Sequence, residues 1–266
     1  MSLLPSPLLR STVHWSEDPR GDDPAEAYHE ASRLYPALSD RQAAGLERLA
    51  ADPALQAASR RPGRWNPQRP RLRLVPAEPP PCSLWAVLEQ RRSRPPDAPL
   101  PLDPGLLGLL LEAGYGATAD GRRTVPSGGG LYPLEVYVVA QRVGGVPCGV
   151  YRLTTDEPAL ELVREGSVDS ALAEATPLPE LVAGAAAVLF LAGVFHRSRF
   201  KYGLRGYRFT LLEAGHVAQN VVLAAAALRL PALPLGGFWD ARVDALLGVD
   251  GVDESVLYGI VLGGAT

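Results

Sequence analysis

The chain has 266 residues, 47% of them hydrophobic, and a formal net charge of −3. At roughly 100–200 residues per domain this is one large domain, or one domain with an extension, and the mild acidity excludes the basic face of a nucleic-acid protein. Cys82 and Cys148 are the only cysteines, which excludes a disulfide framework and a zinc set and points to a reduced, cytoplasmic protein.

The N-terminus, MSLLPSPLLRSTVHW, has an early proline and no long apolar core, so no signal peptide is expected. Residues 1–24 read as a polar, proline-rich arm. Residues 25–60 read as helical, with Ser39 placed as the N-cap of the second helix. Residues 61–82 are too proline-rich for a packed element apart from a short RLRLV strand, and read as a linker or wrapping segment. We therefore divide the chain into an N-terminal part, 1–82, and a compact domain, 83–266.

In that domain SLWAVLEQRRS (83–93) predicts an amphipathic helix with Leu84, Val87 and Leu88 on one face. A second helix is expected over 103–115, with Asp103 as cap and Pro104 in its first turn. The turn PSGGGLYP (126–133) leads into a strand over 134–142, and a turn and second strand occupy 144–155. SVDSALAEA predicts a helix. AAAVLFLAGVF (185–195) is a continuous apolar run of strand length, expected as a buried central strand. The longest apolar runs fall short of the ~20 residues of a membrane span. Residues 210–230 are apolar nearly all round and predict a buried helix. LPALPLGGFWD reads as a loop, ARVDALLG as a short helix and SVLYGIVLG (255–263) as a closing strand. The fold class is α+β, with helices covering a central sheet.

Four segments carry chemistry. QRRSR (90–94) ends a helix with clustered cations. It suits a phosphate, because a guanidinium forks onto two oxygens, and equally a solvated helix end whose cations complement the dipole. PSGGG lets a backbone approach a planar ligand or a phosphate, or is a plain turn; it precedes a strand, which excludes a Rossmann turn. PLGGFWD (234–240) pairs two glycines with aromatics, or is a loop filled by Phe238 and Trp239. RSRFKYGLRGYRF (197–209) interleaves cations with aromatics, as a charged loop or as a site that handles protons. Lys201 is the only lysine of the chain, and a lysine can lose its proton on burial where an arginine cannot. Glu213 and His216 follow on the buried helix. No metal-ligand spacing and no nucleophile elbow is present.

In this order, RRS, PSGGGLYPLEVYVVA, KYGLRGYRF, LLEAGHVAQNVVLAAAAL and LPLGGF resemble the FMN-dependent nitroreductase-like family over about residues 83–263, and within it the SagB-type dehydrogenase branch. The AYHEASRLYP segment resembles the region before the core in that branch. The resemblance implies a nitroreductase-like fold, a mixed or antiparallel sheet flanked by helices with an N-terminal helical extension. It implies FMN as cofactor and two FMN sites at the interface of a homodimer; the charge and the short apolar runs lead us to expect no nucleic-acid or membrane partner. Arg91, Arg92 and Ser93 are then expected at the phosphate and ribityl chain, and Ser127, Gly128 and Gly129 against the cofactor from the partner subunit. Asn220 is also expected at the cofactor. Pro234, Gly236 and Gly237 match the loop whose backbone N–H reaches flavin N5. The position where the family often carries a second cation, aimed at the flavin N1/O2 edge, is Pro95, with Arg94 one place early. The basic C-terminal tail of classical nitroreductases has no counterpart after GGAT, and Arg205 or Arg208 is a candidate to serve the phosphate instead.

That branch oxidises thiazoline or oxazoline rings of ribosomal peptides. The adjacent Lys201 and Tyr202 resemble its assisting pair, with proton removal from a ring carbon and hydride transfer to the flavin. The expected partners are a peptide or small-molecule substrate and other peptide-modifying enzymes. The rival readings are an NAD(P)H-dependent reductase of nitroaromatics or quinones, and a scaffold subunit of a peptide-modifying complex.

Overall fold

In a computed structural model, residues 24–33, 47, 51–54, 68–154 and 159–264 are described. The arm before Pro24 and the cap expected at Ser39 lie outside them. Helix α1 (Pro24–Ala31) comes first, then strand β1 (Arg71–Arg73), α2 (Leu84–Gln90) and α3 (Pro104–Tyr115). A 3-10 turn (Gly128–Gly130) precedes β2 (Leu134–Ala140), β3 (Gly149–Thr154) and β4 (Ala159–Glu165). Next come α4 (Asp169–Glu174), α5 (Glu180–Ala183), β5 (Ala187–Val194), α6 (His196–Tyr202) and α7 (Leu204–Ala227). β6 (Ala232–Leu235), α8 (Asp240–Leu247) and β7 (Glu254–Leu262) close the chain.

The sheet has seven strands in the order β1-β4-β3-β2-β5-β7-β6, every neighbouring pair antiparallel. Strand β5 is buried along its whole length, as its unbroken apolar run predicts for a strand covered on both faces. Helices α3 and α7 pack one face, and α4 and α8 the other. Asp103 caps α3 by accepting from the Gly105 and Leu106 N–H groups at 2.8 and 3.1 Å. Gly114 lets α3 meet α7 closely, since a Cβ there would stand 2.6 Å from Val221.

The expected RLRLV strand is a sheet edge, with Leu74 in the core and Ala77 N–H bonded to the Gly105 carbonyl at 2.9 Å, so this segment wraps over α3. Four expectations change. ALELVRE, read as no element, is β4. The loop read over LPALPLGGFWD begins with the edge strand β6, where Pro234 is tolerated because an edge strand leaves one side unpaired. The buried helix starts at Leu204 and has an open side on which Leu211 and Leu212 are exposed. On α2 only Val87 is buried, while Leu84 and Leu88 are exposed.

Candidate functional site

Strand register decides which loops meet. Leu134, at the start of β2, pairs with Gly193 at the end of β5, and β6 runs antiparallel to β7 from Ala232↔Leu262 to Leu235↔Gly259. The glycine turn before β2, the segment after β5 and the Gly236–Gly237 loop after β6 therefore open at the same end of the sheet.

The segment after β5 is a helix with a break. Gly203, at φ 55° and ψ −135°, separates α6 from α7 in a backbone region that only glycine reaches without strain. Gly206 then lets α7 approach α6, because a Cβ there would stand 2.7 Å from the Ser198 backbone. The break places Lys201 and Tyr202, both half-buried, in the last turn of α6 and over the glycine turn. Gly129 has φ 67°, and a Cβ on it would lie 2.5 Å from Tyr202 Oη and 2.6 Å from Lys201 Nζ. The two polar atoms thus converge on one side-chain-free spot of backbone. Lys201 Nζ stands 5.1 Å from the Tyr202 ring centre. Tyr202 meets Phe209 edge-on at 5.0 Å, and Phe209 in turn packs against Gly128. Two segments that the sequence offers separately thus meet within the one chain.

Beneath the turn lies Glu213, a buried carboxyl 1% exposed. The Tyr115 hydroxyl donates to its Oε1 at 2.7 Å. Burial pushes the Glu213 carboxyl up to about 7, against the opposing pull of the Ser127 and Tyr115 hydroxyls and the Arg123 charge. Burial, followed by the Glu213 charge, also drives the Tyr115 hydroxyl well above its ordinary value. The Arg123 guanidinium stacks on Tyr115 at 4.1 Å and on Tyr132 at 5.2 Å.

The other expected residues are placed as follows. At the end of α2, Arg91 donates to Ser93 Oγ at 3.0 Å, and Arg92 to the Glu89 and Arg91 carbonyls at 2.7 and 2.8 Å. The Arg94 N–H bonds the Ala232 carbonyl at 3.0 Å, which seats this segment beside β6. Pro234 lies within β6, and Gly236 and Gly237 follow it, exposed. Asn220 donates to the Ala113 and Thr124 carbonyls, both at 3.1 Å, and so ties α3 to the segment leading into the glycine turn. Arg205 and Arg208 hold α1, bonding the Ser32 and His29 carbonyls at 3.3 and 2.7 Å. Arg197 pairs with Glu135 at 2.7 Å. Among the described residues no His, Cys, Asp and Glu cluster fits a metal ion, and no helix is long and apolar enough to cross a membrane.

The profile described as "Nitroreductase family" matches residues 88–264. The chain belongs to the nitroreductase family. As a member of that family it is an oxidoreductase, and its antiparallel sheet flanked by helices is the nitroreductase-like fold. It is 38% identical over 162 residues to MJ1384 of Methanocaldococcus jannaschii, a protein named as a nitroreductase; the match covers 60% of this chain and 82% of that one. It is 31% identical over 134 residues to the microcin B17-processing protein McbC of Escherichia coli, covering 48% of this chain and 49% of McbC. It is 32% identical over 146 residues to the trifolitoxin-processing protein TfxB of Rhizobium leguminosarum bv. trifolii, covering 53% of this chain and 39% of TfxB. The match thus spans half or less of both processing proteins. Among solved structures, a nitroreductase-type protein from Anabaena variabilis is 26% identical with a TM-score of 0.66, over 77% of this chain and 44% of that one. A chain of the Escherichia coli microcin synthetase McbBCD complex, solved with truncated pro-MccB17 bound, shares the fold at 22% identity and a TM-score of 0.59, over 97% of both chains.

In this nitroreductase-family chain, Glu213 is the residue to which sequence reasoning gives no role. The available signal is its place in the buried stripe Thr210, Glu213, Ala214, Val217, where a lone carboxylate at core spacing needs a partner.

Proposed function

We propose that this nitroreductase-family protein is an FMN-dependent dehydrogenase that oxidises azoline rings in a ribosomally made peptide to the aromatic azoles. The observation that carries this reading is the convergence of Lys201 Nζ and Tyr202 Oη on Gly129. Nitro reduction needs no dedicated base for a carbon acid, whereas azoline oxidation does. The similarity to McbC and TfxB, both named for processing peptide toxins, supports the same reading.

The residues present fit a planar, phosphate-bearing cofactor. Gly237 has open space where a Cβ would stand, and the nearest atom to that position at Gly236 is 3.9 Å away. A flat ring can therefore lie on this backbone at the sheet end shared with Lys201 and Tyr202. Arg91 and Arg92, beside Ser93, offer guanidinium donors of the kind that grip phosphate. In this assignment FMN supplies the acceptor for the hydride lost from one ring carbon. Lys201 or Tyr202, in its unprotonated form, takes the proton from the adjacent carbon, so that two electrons and two hydrogens leave the ring together. The glycine turn keeps side chains out of the space directly against the pair.

The exposed apolar residues Leu84, Trp85 and Leu88 of α2 and Leu204, Leu211 and Leu212 of α7 support self-association into a homodimer. Cytoplasmic location and association with further peptide-modifying proteins complete the reading.

The test is dehydrogenation of a thiazoline peptide by FMN-loaded protein. Lys201→Ala and Tyr202→Phe should retain the yellow flavin and lose about 100-fold or more of the rate. Full azoline oxidation by both variants would refute the assignment. The identity to MJ1384 favours a second reading, NAD(P)H-driven reduction of nitroaromatics or quinones. Rapid bleaching of the flavin by NADPH, with no azoline product, would select it.

A further inference from the structure

The turn over residues 127–132 is tied at both ends to one buried carboxyl. At its start, Ser127 neighbours Glu213 and accepts the Tyr132 N–H at 2.9 Å. At its exit, the Leu134 N–H donates to the Tyr115 hydroxyl at 3.3 Å, and that hydroxyl donates to Glu213 at 2.7 Å. Arg123 closes the ring: its side chain donates to the Tyr115 carbonyl at 3.1 Å and its N–H to the Tyr132 hydroxyl at 3.2 Å. Within this frame Tyr132 holds φ 46°, a left-handed conformation that a bulky residue keeps only when its surroundings enforce it. Glu213 is buried, and hydroxyl groups rather than a paired cation face its carboxylate.

We propose that Glu213 is a positioning residue for the Lys201–Tyr202 pair: acting through Tyr115 and Ser127, its carboxylate holds the turn that carries Gly129 against both groups, and protonation of the carboxylate changes that pose. The inference rests on the reading of Lys201 and Tyr202 as the working pair. The groups that face Glu213 are Tyr115 from α3 and Ser127 and Arg123 from the segment before β2. Across the turn stand Lys201 and Tyr202 of α6. Glu135, the charged group of β2 at this end of the sheet, is paired with Arg197. His216, on α7 itself, is exposed. Burial brings the Glu213 titration to about 7, so the change of pose falls within the working range of pH.

Because Lys201 is the only lysine, protein grown on lysine labelled with carbon-13 at Cε gives a single side-chain resonance. In the full-length FMN-loaded protein that resonance should show a step near pH 7, which Glu213→Gln removes. Azoline turnover should rise with pH through the same step as the carboxylate forms. In Glu213→Gln it should be flat across that range and about 10-fold lower at pH 8, with KM and the flavin spectrum retained. An unchanged step in Glu213→Gln overturns the proposal. If that variant does not fold, Glu213→Asp keeps the charge on a shorter arm and should displace the step; a step at the wild-type pH overturns it. The resonance is read without turnover. Failure of the reading of Lys201 and Tyr202 as the working pair, seen as full azoline oxidation in Lys201→Ala and Tyr202→Phe, therefore stays distinguishable from failure of the Glu213 inference.

Discussion

Two glutamates are buried on opposite faces of the sheet, and their surroundings differ. Glu161, on β4, is fully buried and ringed by cations: Arg152 Nη2 bonds it at 2.9 Å, with Arg71 at 3.6 Å and Arg69 at 3.9 Å. The cavity beside it, about 430 Å³, is lined in part by Arg69, Arg152, Arg164 and Tyr137. Glu213, under α7, has hydroxyl partners and one stacked arginine, and is held up at about 7. A carboxylate wrapped in guanidinium serves the fold, because its charge is matched wherever the chain is native. A carboxylate buried among hydroxyls rather than paired with a cation is pushed up toward neutral pH by that burial, which suits a site whose charge changes with pH.

The sharpest break of this comparison is Glu161→Gln. It leaves Arg152 buried without its counter-charge and should cost about 3–5 kcal/mol, read by denaturant unfolding, while the activity of each folded molecule stays unchanged. Gly129→Ala acts on the other region. Its Cβ would displace Lys201 Nζ and Tyr202 Oη, and its φ of 67° disfavours alanine. Azoline turnover should fall about 100-fold in steady-state kinetics, while stability drops by only about 1–2 kcal/mol.

Glu213→Gln should behave in the opposite sense to Glu161→Gln. The folded-state value of Glu213, about 7, lies above its ordinary 4.5. Its contribution to stability is therefore complete below about 4.5 and lost as pH rises through about 7. Relative to wild type, Glu213→Gln should gain about 2 kcal/mol at pH 8 and little at pH 5, measured as thermal midpoints at both. Equal effects at the two pH values would erase the distinction between the glutamates. The smallest effect is expected at Arg208→Ala, which removes a solvent-exposed bond to the His29 carbonyl. It should cost less than about 1 kcal/mol and show as faster proteolysis near α1 with unchanged turnover.

Local physics made much of the domain legible. The unbroken apolar run of β5, Asp103 ahead of Pro104, and the short β-branched and aliphatic run of SVLYGIVLG each specify an element through residue type, spacing or capping, which act within a few residues. The motif order likewise pointed to the family. The strands β4 and β6 were harder to read, because the charged end of ALELVRE and the proline of ALPL are tolerated only through pairing at or near a sheet edge. The exposed Leu84 and Leu88 mislead for a related reason: apolar spacing says that a face is to be covered, not by what.

Sequence by itself therefore determined the α+β class, the central strand, the glycine turn and the candidacy of a lone lysine beside a tyrosine, since each depends on residue type and nearest neighbours. Only the tertiary structure decided that Lys201 and Tyr202 meet Gly129, that Arg205 and Arg208 hold α1, and that Glu213 lies beneath the turn against the Tyr115 hydroxyl. The meeting of the glycine turn with Lys201 and Tyr202 follows from the register of β2 on β5 and the break at Gly203, and the bonds to α1 and to Glu213 span 98 to 179 positions of the chain, beyond the reach of any local pattern.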